Sequence, residues 1–145
     1  MAVRSMPRFG FVVAAFATVA FCSWARADEA TAKVDAGNAA STWIHLVDEG
    51  AYAQSWSDAS TLFRGAIDKS KWVDALNTAR KPLGRVLSRK VIMTNYVTHL
   101  PGVPEGEYVE IRYATSFAVR NSSSEIITLM LEKDGVWRPA LYLVR

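Results

Sequence analysis

Side chains that could bind a metal are few in this sequence and do not fall in a ligand pattern. The chain of 145 residues contains one cysteine, Cys22, and two histidines, His45 and His99. A zinc or iron site needs several convergent His, Cys or carboxylate ligands, and the two histidines fall in different predicted elements. The sequence therefore predicts no metal centre.

Motifs for nucleophilic catalysis and for phosphate binding are also absent from the sequence. It has no Gly-x-Ser-x-Gly motif, and its eight glycines are scattered rather than gathered in a phosphate-binding loop. We therefore assign no catalytic residue and expect no cofactor. Acid/base chemistry in a cavity between sheet and helices remains an alternative hypothesis. The side chains available for it are Asp48, Tyr52, Asp58, Tyr96 and Tyr113.

The aromatic residues allow two interpretations, a packed core or the lining of a cavity for an apolar ligand. Trp72 shares a helical stripe with Leu76 and Ala79 and is predicted to be core. If the cavity is open, we expect the following residues to line it: Trp43, Tyr52, Trp56, Tyr113 and Phe117.

The charge of the chain separates into a basic start and a neutral remainder. The formal charge of +3 comes from Arg4, Arg8 and Arg26, because residues 28–145 contain 14 cations and 14 carboxylates. This balance argues against a nucleic-acid-binding surface, which needs an excess of Lys and Arg. A local run of cations, Arg80-Lys81, Arg85 and Arg89-Lys90, is either a patch for an anionic partner or a solvated helix end and strand face.

Residues 1–27 have the features of a secretory signal peptide. Two arginines precede an apolar stretch, and Ala25-Arg26-Ala27 places small residues where a signal peptidase cleaves. We predict cleavage after Ala27 rather than a membrane anchor, because a span needs about 20 apolar residues and Arg26 interrupts this one. Cys22 would leave with the leader, so the exported chain would contain no disulfide. An exported chain without cysteine fits the bacterial periplasm.

The first half of the remaining chain has helical periodicity. Apolar residues recur at three- and four-residue steps from Thr31 to Glu49, and Gly50 is expected to end this helix. Three shorter helices are predicted after it: Ala51 to Trp56, Thr61 to Ala66 capped by Ser60, and one capped by Asp68 that ends near Pro82 and Gly84.

Beyond Gly84 the apolar period changes to two, which is typical of strands. Four strands are predicted: Arg85 to Leu100, Tyr108 to Val119, Ile126 to Lys133 and Val136 to Val144. The first should place Leu87, Val91, Met93 and Val97 on one face, and the second Val109, Ile111, Tyr113, Phe117 and Val119. Asp134-Gly135 predicts a two-residue hairpin turn. Pro139 requires an edge strand, a bulge or an outward position.

Helices followed by an antiparallel meander indicate a single α+β domain over residues 28–145, with helices packed on a curved four-stranded sheet. The sequence also resembles the DUF 4019 family of exported bacterial proteins, from about residue 39 to 145. The resemblance rests on Val47-Asp48-Glu49-Gly50-Ala51-Tyr52, Arg80-Lys81-Pro82-Leu83-Gly84, the stretch from Pro101 to Val109, and Asp134-Gly135-Val136-Trp137-Arg138. It implies a cystatin-like or nuclear-transport-factor-like cone and supplies no activity.

From these patterns we expect an exported, periplasmic, non-catalytic binding or protein-interaction module. Its partner would be an unidentified protein or a small apolar ligand, and we expect neither nucleic acid nor a stable membrane anchor. A homodimer through the sheet is a further hypothesis. A small enzyme with an acid/base site in the cone cavity is the alternative function.

Overall fold

A computed structural model describes residues 28–145, so the predicted leader, with Cys22 and the cleavage after Ala27, lies outside the described residues. Four helices come first, α1 (Glu29–Asp48), α2 (Tyr52–Ser57), α3 (Thr61–Ala66) and α4 (Lys69–Ala79), followed by a 3-10 turn (Lys81–Leu83). Four strands complete the chain, β1 (Val86–Val97), β2 (Tyr108–Phe117), β3 (Ser123–Leu131) and β4 (Trp137–Val144).

The strands form one antiparallel sheet in the order β1-β2-β3-β4, which is not closed into a barrel. The helices pack on one face of this sheet, with α1 contacting all four strands. This arrangement confirms the predicted α+β class. None of the helices between residues 28 and 145 combines the length and the apolar character needed to cross a membrane.

The ends of the helices follow local sequence signals, with one exception. Gly50 has φ of +75° after α1, and the amide of Ala51 donates to the carbonyl of Leu46, so α1 ends as a Schellman motif. The Ser60 hydroxyl accepts a hydrogen bond from the amide of Phe63 and caps α3 as predicted. Asp68 precedes α4, but its side chain makes no capping hydrogen bond and pairs instead with Lys71.

The core between helices and sheet is rich in aromatic side chains. Trp72 is buried as predicted, and its ring contacts those of Trp43, Phe63 and Tyr142. The predicted stripe is wrong at its third position, because Ala79 is exposed and the following residue, Arg80, is buried instead.

Strand β1 departs most from the predicted pattern. Its register with β2 shifts between Val86 and Ser88 and again between Val91 and Met93, which marks two irregularities of the β-bulge type. An extra residue reverses the alternation of faces, so Leu87, Val91, Met93 and Val97 do not share a face. The first three of these side chains are exposed.

Strand β2 follows its prediction more closely. Val109, Ile111, Tyr113 and Phe117 are all buried, as a shared core-facing side requires. Val119 does not belong to this face, because the strand ends at Phe117 and the Val119 side chain is exposed.

The hairpin between β3 and β4 has a longer turn than predicted. The amide of Glu132 donates to the carbonyl of Val136, which leaves three residues, Lys133-Asp134-Gly135, in the loop. Gly135 has φ of +77°, the left-handed conformation that ends a three-residue loop of this kind. Pro139 lies on the edge strand β4, and the register between β4 and β3 shifts beside it. Two of the three settings predicted for this proline, an edge strand and a bulge, therefore occur together.

Candidate functional site

A buried ionic network joins α1 to the sheet, and Arg89 of β1 is at its centre. The Arg89 guanidinium donates to both carboxylate oxygens of Asp48, with Nη1 to Oδ2 at 2.7 Å and Nη2 to Oδ1 at 2.9 Å. Its Nε and Nη2 also donate to Glu125, at 2.8 and 3.2 Å. One arginine thus binds two carboxylates from different elements, and most N–H groups of its guanidinium donate to acceptors within the protein.

Glu125, in β3, is the most deeply buried member of this network, with no exposed surface. Besides Arg89, its carboxylate accepts hydrogen bonds from the Thr115 hydroxyl at 2.5 Å and from the Tyr142 hydroxyl at 2.6 Å. Glu125 alternates with Ile127 and Leu129, so the strand period itself turns it toward the core. A carboxylate in that position requires partners, because an unpaired buried charge is very costly.

Arg80 extends the network from the end of α4. Its Nη2 donates to Asp48 at 3.0 Å, and its Nη1 donates to the Gly84 carbonyl at 2.8 Å. The guanidinium lies over the ring of Phe117, 4.5 Å from the centroid, a cation–π geometry. Arg80 therefore fastens the end of α4 to both α1 and β2.

The network is electrically balanced, with two arginines against two carboxylates. Burial alone would raise the pKa of Asp48, but hydrogen bonds and charges from Arg89 and Arg80 outweigh it and hold that pKa below its usual range. Burial and the neighbouring Glu125 raise the pKa of Tyr142 well above that of a free tyrosine. Asp48 therefore stays ionised and Tyr142 stays neutral around neutral pH.

A groove of about 660 Å³ opens beside the network, between α1 and the β1–β2 part of the sheet. Asp48 and Arg89 form part of its wall. The rest of the lining combines small polar and apolar side chains, namely Gly37, Ser41, Thr42, Ile44, His45, Val91, Thr94, Ile111 and Tyr113. Such a surface can contact apolar groups and donate or accept hydrogen bonds in the same ligand.

Gly37 contributes space to this groove from the middle of α1. A Cβ added there would have no atom within 4 Å other than its local helix neighbours, so the site is open. Glycine inside a helix costs about 1 kcal/mol relative to alanine. The chain therefore has a helix-destabilising residue at the position where the absence of a side chain widens the groove.

The five residues predicted to line a pocket are not brought together. Tyr113 lines the groove, and Tyr52 borders a smaller hollow of about 320 Å³ beside Arg80. Trp43 is buried in the core and donates from Nε1 to the Ser55 carbonyl, while Phe117 is fully buried beneath Arg80. Trp56 is half-buried and donates to the Ile67 carbonyl.

The candidates for acid/base chemistry and metal binding are likewise dispersed. Asp58 is exposed and accepts a hydrogen bond from Gln54, and the Tyr96 hydroxyl donates to Glu107. His45 lines the groove, whereas His99 borders a separate hollow at the β1–β2 loop. Over the part of the chain that the structure describes, no three His, Cys, Asp or Glu side chains are placed to hold a metal ion.

Sequence reasoning missed the network because its members were assigned elsewhere. Arg80 and Arg89 are neither a patch for a partner nor solvated, since each is paired with carboxylates of this chain. The remaining cations of that run, Lys81, Arg85 and Lys90, are exposed. Glu125 offered a usable signal, because a charged residue at a core-facing strand position requires a buried partner.

Comparison with known proteins gives a family and no activity. No curated protein resembles the chain closely enough to count as a match. A family model described as "Protein of unknown function (DUF4019)" matches residues 39–142, which span the second half of α1, helices α2 to α4 and nearly the whole sheet. This match covers well over half of the chain, and it includes the groove apart from Gly37. The chain therefore belongs to the DUF4019 family.

Proposed function

We propose that this protein is an exported, periplasmic, non-catalytic binding module, and that its site is the groove between α1 and the β1–β2 part of the sheet. The groove itself carries the proposal. It is the size of an ordinary ligand site, and its lining offers both apolar contacts and hydroxyl groups. The Asp48–Arg89 pair and its buried neighbours hold the helix and the strands that form its two sides.

The protonation of Asp48 and Tyr113 supports a binding role for these two groove residues over a catalytic one. A general acid or base works best with a pKa near the operating pH. Asp48 has its pKa lowered by two arginines, and burial raises the pKa of Tyr113. Both shifts move these two residues away from the pH at which they could exchange protons. An acid/base role for Asp48 or Tyr113 thus has less support than a binding role.

Export and the finer fold description belong to the same proposal. The basic start, apolar stretch and Ala25-Arg26-Ala27 of the sequence support cleavage after Ala27 and release into the periplasm. The succession of helices and an open antiparallel sheet, with two bulges that bend β1, supports a cystatin-like cone.

Binding to the groove can be tested by nuclear magnetic resonance with two chemically different probes. Purified, isotopically labelled protein would be titrated separately with a mixture of random octapeptides and with monomeric octyl glucoside, a neutral amphiphile. We expect at least one probe to shift amide signals of Ser41, His45, Thr94 and Tyr113 together. Shifts that avoid these residues with both probes would refute the proposed site, and new product signals from a probe would refute the non-catalytic role.

A matched pair of substitutions strengthens the test. Ser41 is an exposed α1 residue in the groove lining, and Ser70 is an exposed α4 residue outside it. Ser41→Trp should fill the groove and weaken probe binding at least tenfold, whereas Ser70→Trp should leave binding unchanged. Equal effects of the two substitutions would contradict the assignment of the site.

A further inference from the structure

We propose that the groove and the outer edge of β1 together bind an acidic, extended segment of another protein, which adds to the sheet as a fifth strand. This inference rests on the proposed function, because it names the ligand class of the same groove.

The first observation is the position of β1. It is the longest strand, with 12 residues, and it pairs with β2 on one side and with no strand of residues 28–145 on the other. An edge strand presents unpaired backbone N–H and C=O groups, to which an extended peptide can add. Between the two bulges, Ser88 to Val91 pair with β2 without interruption, so this part of the edge is regular.

The second observation is the apolar character of this edge. Leu87, Val91 and Ile92 have 49%, 58% and 59% of their surface exposed, although all three are large aliphatic residues. The bulge places Val91, Ile92 and Met93 in solvent at three consecutive positions. Large apolar side chains exposed on both faces of an edge strand favour a partner strand that covers them.

The third observation connects the edge to the groove. Val91 and Thr94 of β1 line one side of the groove, and Gly37 and Ser41 of α1 line the other. Side chains alternate across a strand, so an added strand would direct every second side chain to the helix-covered face of the sheet. The groove would receive those side chains, and the open space at Gly37 accommodates them.

Charge identifies the kind of segment. From Lys81 to Pro104 the chain contains four cations and no acidic residue. Arg89 is neutralised by Asp48 and Glu125, whereas Lys81, Arg85 and Lys90 are exposed around the edge strand. A second copy of β1 would add the same excess of cations to this edge, and like charges repel one another. An acidic segment of a different protein is the complementary occupant.

Selection from a displayed library of random octapeptides provides the probe. We expect the peptides enriched on this protein to be acidic and to alternate apolar with polar residues. N-methylation of alternate amides in a synthetic copy should reduce its affinity at least tenfold in one register, because it removes the donors that pair with β1. Enrichment of neutral or basic peptides, or affinity that is insensitive to methylation in both registers, would refute strand addition.

Matched variants locate the contacts. Ile92→Thr should weaken peptide binding about tenfold, whereas Val136→Thr, at another exposed aliphatic position beside β4, should not. Lys90→Glu should weaken binding of the acidic peptide, and Lys133→Glu in the β3–β4 turn should not. If the β1 variant and its control weaken peptide binding equally in each pair, the β1 edge is not the docking surface.

Comparison of these variants with Ser41→Trp distinguishes failure of this inference from failure of the proposed function, and sedimentation tests for a dimer. Loss of peptide binding in Ser41→Trp without any effect of Lys90→Glu or amide methylation would leave the groove as the site and refute strand addition. No effect of Ser41→Trp would refute the groove site itself. Sedimentation that reveals a dimer abolished by Ile92→Thr would show a second copy as the occupant and overturn the choice of a foreign segment.

Discussion

Replacing Glu125 by glutamine tests whether the ionic network holds the domain together. The substitution keeps the size of the side chain but removes its charge and one of its two acceptor oxygens. Oε1 accepts from Tyr142 and Arg89, and Oε2 accepts from Thr115 and Arg89. Whichever oxygen becomes the NH₂ group, two buried hydrogen bonds to that atom are lost, and one of them comes from Arg89.

The expected loss of stability follows from these contacts. Each buried group left without a partner costs about 1–3 kcal/mol, and a buried ion pair broken on one side costs about 3–5 kcal/mol. We therefore expect Glu125→Gln to lower the free energy of unfolding by about 4 kcal/mol. With a urea dependence of about 2 kcal/mol per molar, the unfolding midpoint would fall by roughly 2 M.

Glu110→Gln is the matched control for this measurement. Glu110 lies on the neighbouring strand β2, where it pairs with Arg112 in a partly exposed position. Exposed pairs contribute about 0–1 kcal/mol, so this control should unfold near the parent midpoint in urea, followed by far-ultraviolet circular dichroism. Equal losses for the two variants would refute the reasoning. If Glu125→Gln does not accumulate, Thr115→Val should still lose about 1 kcal/mol, since it removes one hydrogen bond to Glu125.

Three other predictions concern backbone conformation, pH and the core. Gly37→Ala should stabilise the protein by about 0.5–1 kcal/mol, and Gly135→Ala should destabilise it by about 1 kcal/mol because φ is +77° there; urea midpoints that move in the same direction would contradict this. Because the pKa of Asp48 is lower in the folded than in the unfolded protein, its ionised carboxylate stabilises the fold above a pH of about 4, and this stability is lost as the pH falls further. Asp48→Asn should therefore flatten the dependence of the urea midpoint on pH between 2 and 5, and an unchanged slope would contradict this prediction. Trp72→Ala should cost about 3–5 kcal/mol, and a parent-like melt would disprove its core role.

Local signals in the sequence were sufficient for the fold class and most element positions. Apolar residues at three- and four-residue steps predicted α1, and the change to a two-residue period after Gly84 predicted the strands. Gly50 and Ser60 marked helix ends because a left-handed turn and a side-chain cap depend on a few adjacent residues. The predictions were wrong at two places where the chain has one extra residue. At Ile92 in β1 it reverses the alternation of side chains between the two faces, and in the β3–β4 turn it makes a loop of three residues instead of two.

The site depended on contacts that no local pattern contains. Arg89 meets Asp48 and Glu125 across separations of 41 and 36 residues, and the sequence by itself left this arginine as either a solvated cation or part of a patch. Composition shows directly which residues are charged, and the two-residue apolar period indicates where the strands lie. Only tertiary packing decided which charges neutralise one another, since burial makes pairing obligatory and the choice of partner follows from how α1 lies across the sheet.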